Sequence, residues 1–278
     1  MSYAESLAQL LPAAPSACAT KWLLISLAVV LVFKIVAKRA CGGHCCRSTP
    51  KDLKLTYFDV PGRAEVLRLA LAVGGIKYVD ERLSRDEWAV KKEITPFGQL
   101  PVLEANGETL AQSHAILRYV GRLARLYPCS SWLSAKADEI VFLVEEMNGL
   151  IAPTFTMDAE AKVIARRDLA EGKLAKLWEI LEARLEDKTF FVGTKLTVAD
   201  LAVFCQAGIL SSGWLDGINK NFLARFSRVQ KHRAMVATLP SVQAFYKQLP
   251  ETTLKAYVRM GIDIAAFDAP TKVQQTNA

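Results

Sequence analysis

Histidine and cysteine are scarce in this 278-residue chain, and their placement excludes several chemistries. The three histidines, His44, His114 and His232, lie far apart and lack ligand spacing, so a zinc centre or a Ser-His-Asp arrangement finds little support. Of the six cysteines, Cys18, Cys41, Cys45 and Cys46 precede the main domain and only Cys129 and Cys205 fall within it. That is no disulfide framework, and it points to a reducing compartment. The domain has no C-x-x-C pair, which argues against a thioredoxin-type protein nucleophile. Cys41-x-x-His44-Cys45-Cys46 resembles half of a zinc site, but no second ligand pair follows, and no metal is expected. There is no phosphate-binding glycine loop, because Gly74-Gly75 reads as a helix stop. No internal repeat is visible. Net charge is +7, yet the basic residues form no stripe interleaved with aromatics, so no nucleic-acid partner is expected. The positive balance better suits an anionic ligand or membrane face.

Apolar residues make up 51% of the chain, enough for a sizeable core in one or two domains. Residues 1–20 are small, polar and rich in Ala and Pro. Trp22 to Phe33 is an uncharged apolar run between Lys21 and Lys34. With snorkelling lysines it extends over about residues 20–37, close to a bilayer span. A cleaved signal peptide competes with an uncleaved anchor. No basic residue precedes Lys21, and no clean small-x-small cleavage site follows, which favours the anchor. Lys34, Lys38, Arg39 and Arg47 then place the C-terminal domain on the cytosolic side of an endomembrane, such as that of the ER or vesicles. Cys41, Cys45 and Cys46 are candidates for S-palmitoylation.

From Leu53 the pattern is βαβ: strand Lys54–Phe58, helix about Arg63–Val73 and strand Lys77–Arg82. An irregular helix follows over Ser84–Ile94. Pro96 to Ser113 reads as a loop, an X-Pro bond, two short strands joined through Asn106-Gly107, and a helix start. That helix is expected over Gln112–Leu126, followed by a linker at Pro128–Trp132. The remainder is helical: Ala135–Leu150, a long run Ala159–Glu186, Leu201–Leu210, Ala224–Leu239 and Ser241–Leu249. Thr197-x-x-Asp200 reads as a capping box before the apolar run from Leu201.

Leu55-Thr56-Tyr57-Phe58, Gly62-Arg63-Ala64-Glu65, Asp86-Glu87-Trp88, Pro96-Phe97-Gly98-Gln99-Leu100-Pro101-Val102-Leu103-Glu104 and Leu110-Ala111-Gln112-Ser113 occur in that order. Together they resemble the cytosolic glutathione transferases, most closely the sigma class, which includes the glutathione-dependent prostaglandin D synthases. The resemblance runs from about Leu53 to Pro250. It implies an α/β thioredoxin-like domain over residues 53–128 and an all-α domain over residues 134–258. A single hydrophobic helix within residues 1–52 would precede them, and residues 259–278 would form a tail.

The resemblance implies that Tyr57 is catalytic. A thiol of pKa about 8.5 is only a few per cent thiolate at neutral pH, and a phenol O–H aimed at sulfur favours the anion. Arg63 would support the tyrosine–thiolate pair. By the same resemblance, Leu100, before a cis Pro101, pairs its backbone with the cysteinyl part of glutathione. Gln112 and Ser113 receive the γ-glutamyl carboxylate at a helix N-terminus, a place suited to anions. Trp88 and Lys92 contact the glycyl end, and Gln99 stands at a family lysine or glutamine position. Glu145 or Glu146 would reach the glutamyl amine of the partner subunit, which implies a homodimer. Val60, Asn148, Ala152 and Phe155 are candidates for the cleft that takes an apolar electrophile. The expected function is a membrane-anchored glutathione transferase, with isomerase or peroxidase activity as close relatives. The alternative is a non-catalytic ligand carrier or scaffold, since one fold serves both.

Overall fold

Leu53, Leu55 and Tyr57 alternate with partly exposed or smaller residues along β1 (Leu53–Phe58), and all three bury their side chains in one core. A computed structural model of the chain describes residues 50–253. The expected hydrophobic helix of residues 20–37, the cysteine-rich tether and the tail from residue 259 lie outside the described residues. Among the described residues, no helix is long and apolar enough to cross a membrane.

A short 3-10 turn (Gly62–Ala64) leads into α1 (Glu65–Val73), which stops at Gly74 and Gly75, the latter at φ +63°. β2 (Val79–Leu83) pairs parallel to β1, starting where Val79 meets Lys54. α2 (Arg85–Lys91) is opened by a capping box between Ser84 and Glu87 and passes into a 3-10 turn at Lys92–Ile94. The Leu100–Pro101 peptide is cis. β3 (Val102–Ala105) and β4 (Glu108–Ala111) form the hairpin, with Asn106 and Gly107 both at positive φ as a tight turn requires. Sheet order is β2-β1-β3-β4, with β3 antiparallel to both β1 and β4. α3 (Ser113–Leu123) packs beside α1. It ends three residues before the expected Leu126, because the chain turns through Arg125 at φ +58°.

The second lobe is all helix. α4 (Ser131–Ile151) starts four residues earlier than periodicity suggested, because the Ser130 hydroxyl caps it by accepting from Leu133 N–H. A 3-10 turn (Ala152–Thr156) follows. The run expected over Ala159–Glu186 is two helices, α5 (Ala159–Glu171) and α6 (Lys173–Arg184). The break is Gly172, at φ −109° and ψ −109°, where a Cβ would stand 2.9 Å from the Asp168 carbonyl oxygen. α7 (Val198–Ser211) is the central helix, buried on nearly every face. The expected Ala224–Leu239 helix is likewise interrupted. A 3-10 turn (Phe222–Arg225) ends at Phe226, and α8 (Ser227–Ala237) follows. α9 (Pro240–Lys247) closes the order with Pro at its first position.

Asp200 anchors the helical lobe. It is fully buried, and its carboxylate accepts from Thr197 N–H at 2.7 Å, Thr197 Oγ1 at 2.9 Å and Phe191 N–H at 3.0 Å. His232 Nε2 of α8 lies 2.9 Å away. A buried carboxylate persists only with such a full set of partners. The two lobes are joined by α7 packing on α1 and by a buried bond, 2.7 Å long, from Tyr246 Oη to Glu65.

Candidate active site

β1 delivers Tyr57 to the cleft between the lobes, where its side chain is 9% exposed. The chain then loops through Asp59, Val60 and Pro61 and turns back, bringing Arg63 N–H to Tyr57 Oη at 3.2 Å. The phenol oxygen accepts that bond, which leaves its own proton for an atom in the cleft. Gly62 makes the approach possible. Its φ is +46°, and a Cβ there would lie 2.6 Å from Tyr57 Oη. Arg68 on α1 clamps the same loop from below. It is wholly buried and donates to Val60 O at 2.8 Å, Phe58 O at 3.2 Å and Asp80 Oδ1 at 3.1 Å. Its guanidinium also lies 5.8 Å from the Tyr57 ring centroid. Sequence reasoning missed Arg68. The available signal was a cation within the apolar run Val66-Leu67-Arg68-Leu69-Ala70-Leu71, since arginine is almost never fully buried unless paired.

Arg63 extends from the turn to α4, where Nη1 and Nη2 grip Glu145 in two bonds of 2.9 and 2.8 Å. Asn148 Nδ2 donates to the same carboxylate at 3.3 Å, and His114 Nε2 stands 3.7 Å away. Burial works to raise the Glu145 pKa. The Arg63 pair, the Asn148 bond and the neighbouring His114 outweigh it and hold the carboxyl below the usual range. Burial pushes the His114 imidazole below its ordinary value despite the nearby carboxylate. Sequence reasoning took His114 as structural; it stacks on Phe142 and lines the cleft. Glu145 is thus engaged by Arg63 of its own chain. Glu146 is exposed and lies outside the cleft lining.

The cleft has a volume of about 990 Å³. Tyr57, Arg63, Trp88, Ser113 and Glu145 line it, as do Val60, Asn148, Ala152 and Phe155. Trp88 meets Phe58 edge-on with centroids 6.1 Å apart, and Phe58 meets Tyr57 the same way at 5.5 Å. Cys205 also lines the wall, but burial pushes its thiol well above the ordinary value, so it is not a nucleophile there.

The remaining expected glutathione residues sit on the rim of the first lobe. Gln112 precedes α3 at φ +72°, a left-handed conformation that costs a non-glycine residue energy and clusters at ligand sites. Its amide donates to Gln99 Oε1 at 3.2 Å, so these two positions meet although thirteen residues separate them. Ser113 opens α3 without capping it through its side chain. Pro101 is buried and Leu100 half-buried, while Lys92 is exposed at the 3-10 turn after α2. Lys92, Gln99, Leu100, Pro101 and Gln112 are not part of the cleft lining itself, whereas Ser113 is. Among the described residues, no group of three or more His, Cys, Asp or Glu side chains could hold a metal ion.

A thioredoxin-like α/β lobe set against an all-helical lobe, with a phenol in the cleft between them, is the architecture of glutathione-using transferases. Residues 53–122 match the glutathione S-transferase N-terminal domain, and residues 145–248 match the glutathione S-transferase C-terminal domain. The chain belongs to the glutathione S-transferase family. It is 33% identical over 204 residues to the hematopoietic prostaglandin D synthase of Gallus gallus, covering 73% of this chain and 99% of that one. It is 34% identical over 207 residues to glutathione S-transferase 1 of Ascaris suum, covering 72% and 97%. Among solved structures, rat hPGDS complexed with a quinoline superposes with a TM-score of 0.66 at 30% identity, covering 73% of this chain and all of the other. The glutathione S-transferase of Ascaris lumbricoides gives a TM-score of 0.61 at 31% identity, covering 73% and 99%.

Proposed function

We propose that this chain is a glutathione transferase that conjugates the glutathione thiolate to apolar electrophiles. The observation that carries the reading is Tyr57 Oη, which accepts from Arg63 N–H at 3.2 Å and keeps its proton for a sulfur in the cleft. Donation from the phenol stabilises the thiolate over the thiol. The sulfur pair then attacks the electrophilic carbon, a leaving group such as halide departs with the broken bond's electrons, and the thiol proton passes to solvent. Glutathione lies along Trp88, Lys92, Gln99, Leu100, Pro101, Gln112 and Ser113, with its γ-glutamyl carboxylate at the N-terminus of α3. The apolar side of the cleft, with Val60, Ala152 and Phe155, takes the second substrate.

The active form is a homodimer. Because Glu145 is held by Arg63, the exposed Glu146 is the acid that reaches the partner's glutathione amine. Trp22 to Phe33 anchors the enzyme in an endomembrane, with Lys34, Lys38 and Arg39 on the cytosolic side together with the catalytic domain.

Conjugation of glutathione to a generic aromatic halide, comparing the wild type with Tyr57→Phe, tests the catalytic reading. The variant is expected to lose ~10²-fold or more in kcat while still binding glutathione. Binding of glutathione with no turnover in either protein would replace the transferase by a ligand carrier.

A further inference from the structure

The loop that runs from Tyr57 to the turn at Gly62 is gripped by Arg68, Arg82 and Thr253. Arg68 of α1 takes the Phe58 and Val60 carbonyls, which flank Asp59. Arg82 of β2 donates from Nη1 to Asp59 Oδ1 at 2.8 Å and from Nε to Asp80 Oδ2 at 2.9 Å. Asp80 accepts in turn from Arg68 Nε at 3.1 Å, so the four charges close a circuit around the loop. Those two arginines belong to the first lobe. Thr253 does not. It lies beyond α9, 194 residues along the chain from Asp59, and is 2% exposed. Its hydroxyl stands 3.0 Å from Asp59 Oδ1 and 3.1 Å from Oδ2. An ionised carboxylate only accepts, so Thr253 is the donor, and a bond to a charged acceptor is stronger than one between neutral groups. Asp59 lines the cleft; Thr253 does not.

We propose that Thr253 is a positioning residue for the thiol chemistry: by latching Asp59 it fixes the turn that presents Arg63 N–H to Tyr57 Oη. This rests on the transferase reading of the cleft. The Arg63 N–H occupies a lone pair of the phenol oxygen and so orients the phenol proton toward the cleft. The same turn sets where the Arg63 guanidinium starts, and a cation near sulfur favours the thiolate. Arg68 fixes the backbone on either side of Asp59. Thr253 fixes the Asp59 carboxylate and, through Arg82 and Asp80, the orientation of Arg68 itself. The end of the helical lobe thereby acts on thiol acidity from outside the cleft.

The ultraviolet absorbance of the glutathione thiolate, titrated against pH on the full chain, reads the acidity of the bound thiol directly. In Thr253→Val, which keeps the shape and removes the donor, the thiol pKa is expected to rise by about half to one pH unit, or ~3- to 10-fold less thiolate below the wild-type pKa. Thr253→Ser keeps the hydroxyl and should restore the wild-type titration. Turnover of an aromatic halide by Thr253→Val should fall with the thiolate fraction and recover as pH is raised. Tyr246→Phe is the structural comparison, because it removes the buried bond from α9 to Glu65; it should lower stability and leave the thiol pKa in place. Without glutathione, hydrogen–deuterium exchange over residues 58–63 should quicken in Thr253→Val and not in Thr253→Ser. An unmoved thiol pKa or unmoved exchange in Thr253→Val, or an equal thiol shift in Tyr246→Phe, overturns the proposal. A wild type that binds glutathione without ionising its thiol sinks the transferase reading itself, and the role of Thr253 falls with it.

Discussion

Gly62→Ala is the most informative single change, because it acts on Tyr57 without altering the phenol. The new Cβ would stand 2.6 Å from Tyr57 Oη, 3.0 Å from Cε1 and 3.2 Å from Cζ. To restore ordinary contact at 3.4 Å, Oη must move by about 0.8 Å. The ring cannot retreat freely, since Phe58 meets it edge-on and Arg68 lies over it. Alanine at φ +46° adds a backbone cost of about 1–2 kcal/mol. A misplacement of roughly 1 Å in a catalytic group can cost ~10²-fold in rate. The expected result is a kcat loss close to that of Tyr57→Phe, with a fold destabilised by only about 1–3 kcal/mol. Steady-state conjugation kinetics and urea unfolding measure the two effects separately. The double variant Gly62→Ala/Tyr57→Phe should be little slower than Tyr57→Phe alone, because both changes remove the same phenol donor. Wild-type turnover in Gly62→Ala, or fully additive losses in the double variant, would refute the idea that Gly62 exists to admit the tyrosine hydroxyl.

Other outcomes follow from the same geometry. Glu145 has a folded pKa below its unfolded value of ~4.3, so its stabilising contribution is full above that value and is lost as pH falls through the folded pKa. The melting-temperature difference between wild type and Glu145→Gln should therefore shrink on acidification below pH ~4.3. The corresponding stability difference at neutral pH should be no more than about 1 kcal/mol, because the Arg63 side chain is 41% exposed. Asp200→Ala should be far more damaging. It strands Phe191 N–H, Thr197 N–H and His232 in a dry core, and chemical denaturation should show a loss of about 3–5 kcal/mol. Glu146→Gln should raise the KM for glutathione severalfold in a sedimentation-verified dimer; an unchanged KM would remove the cross-subunit contact.

What was legible in the sequence was local. The Asn106-Gly107 hairpin, the Gly74-Gly75 stop and the Thr197–Asp200 cap appear where their residues demand, because turn and cap chemistry acts over a few positions. The two-lobed architecture was also legible, through ordered motifs that match a family. Helix breaks were less so. The apolar period runs through Gly172 and Phe226 without pause, and only the packed chain shows that the backbone leaves helical geometry at both. Contacts between distant residues were beyond reach. Arg63 and Glu145 are 82 residues apart, and their pairing depends on how α4 sits against the first lobe. The sequence by itself therefore determined the local turns, caps and most strands and helices, and pointed to Tyr57 as the candidate for thiol chemistry, since propensity, turns and residue type are short-range properties. Only the tertiary structure decided that Gly62 leaves room for the Tyr57 hydroxyl and that Arg68 clamps the loop after β1. Packing sets those relations, and packing is a property of the whole core.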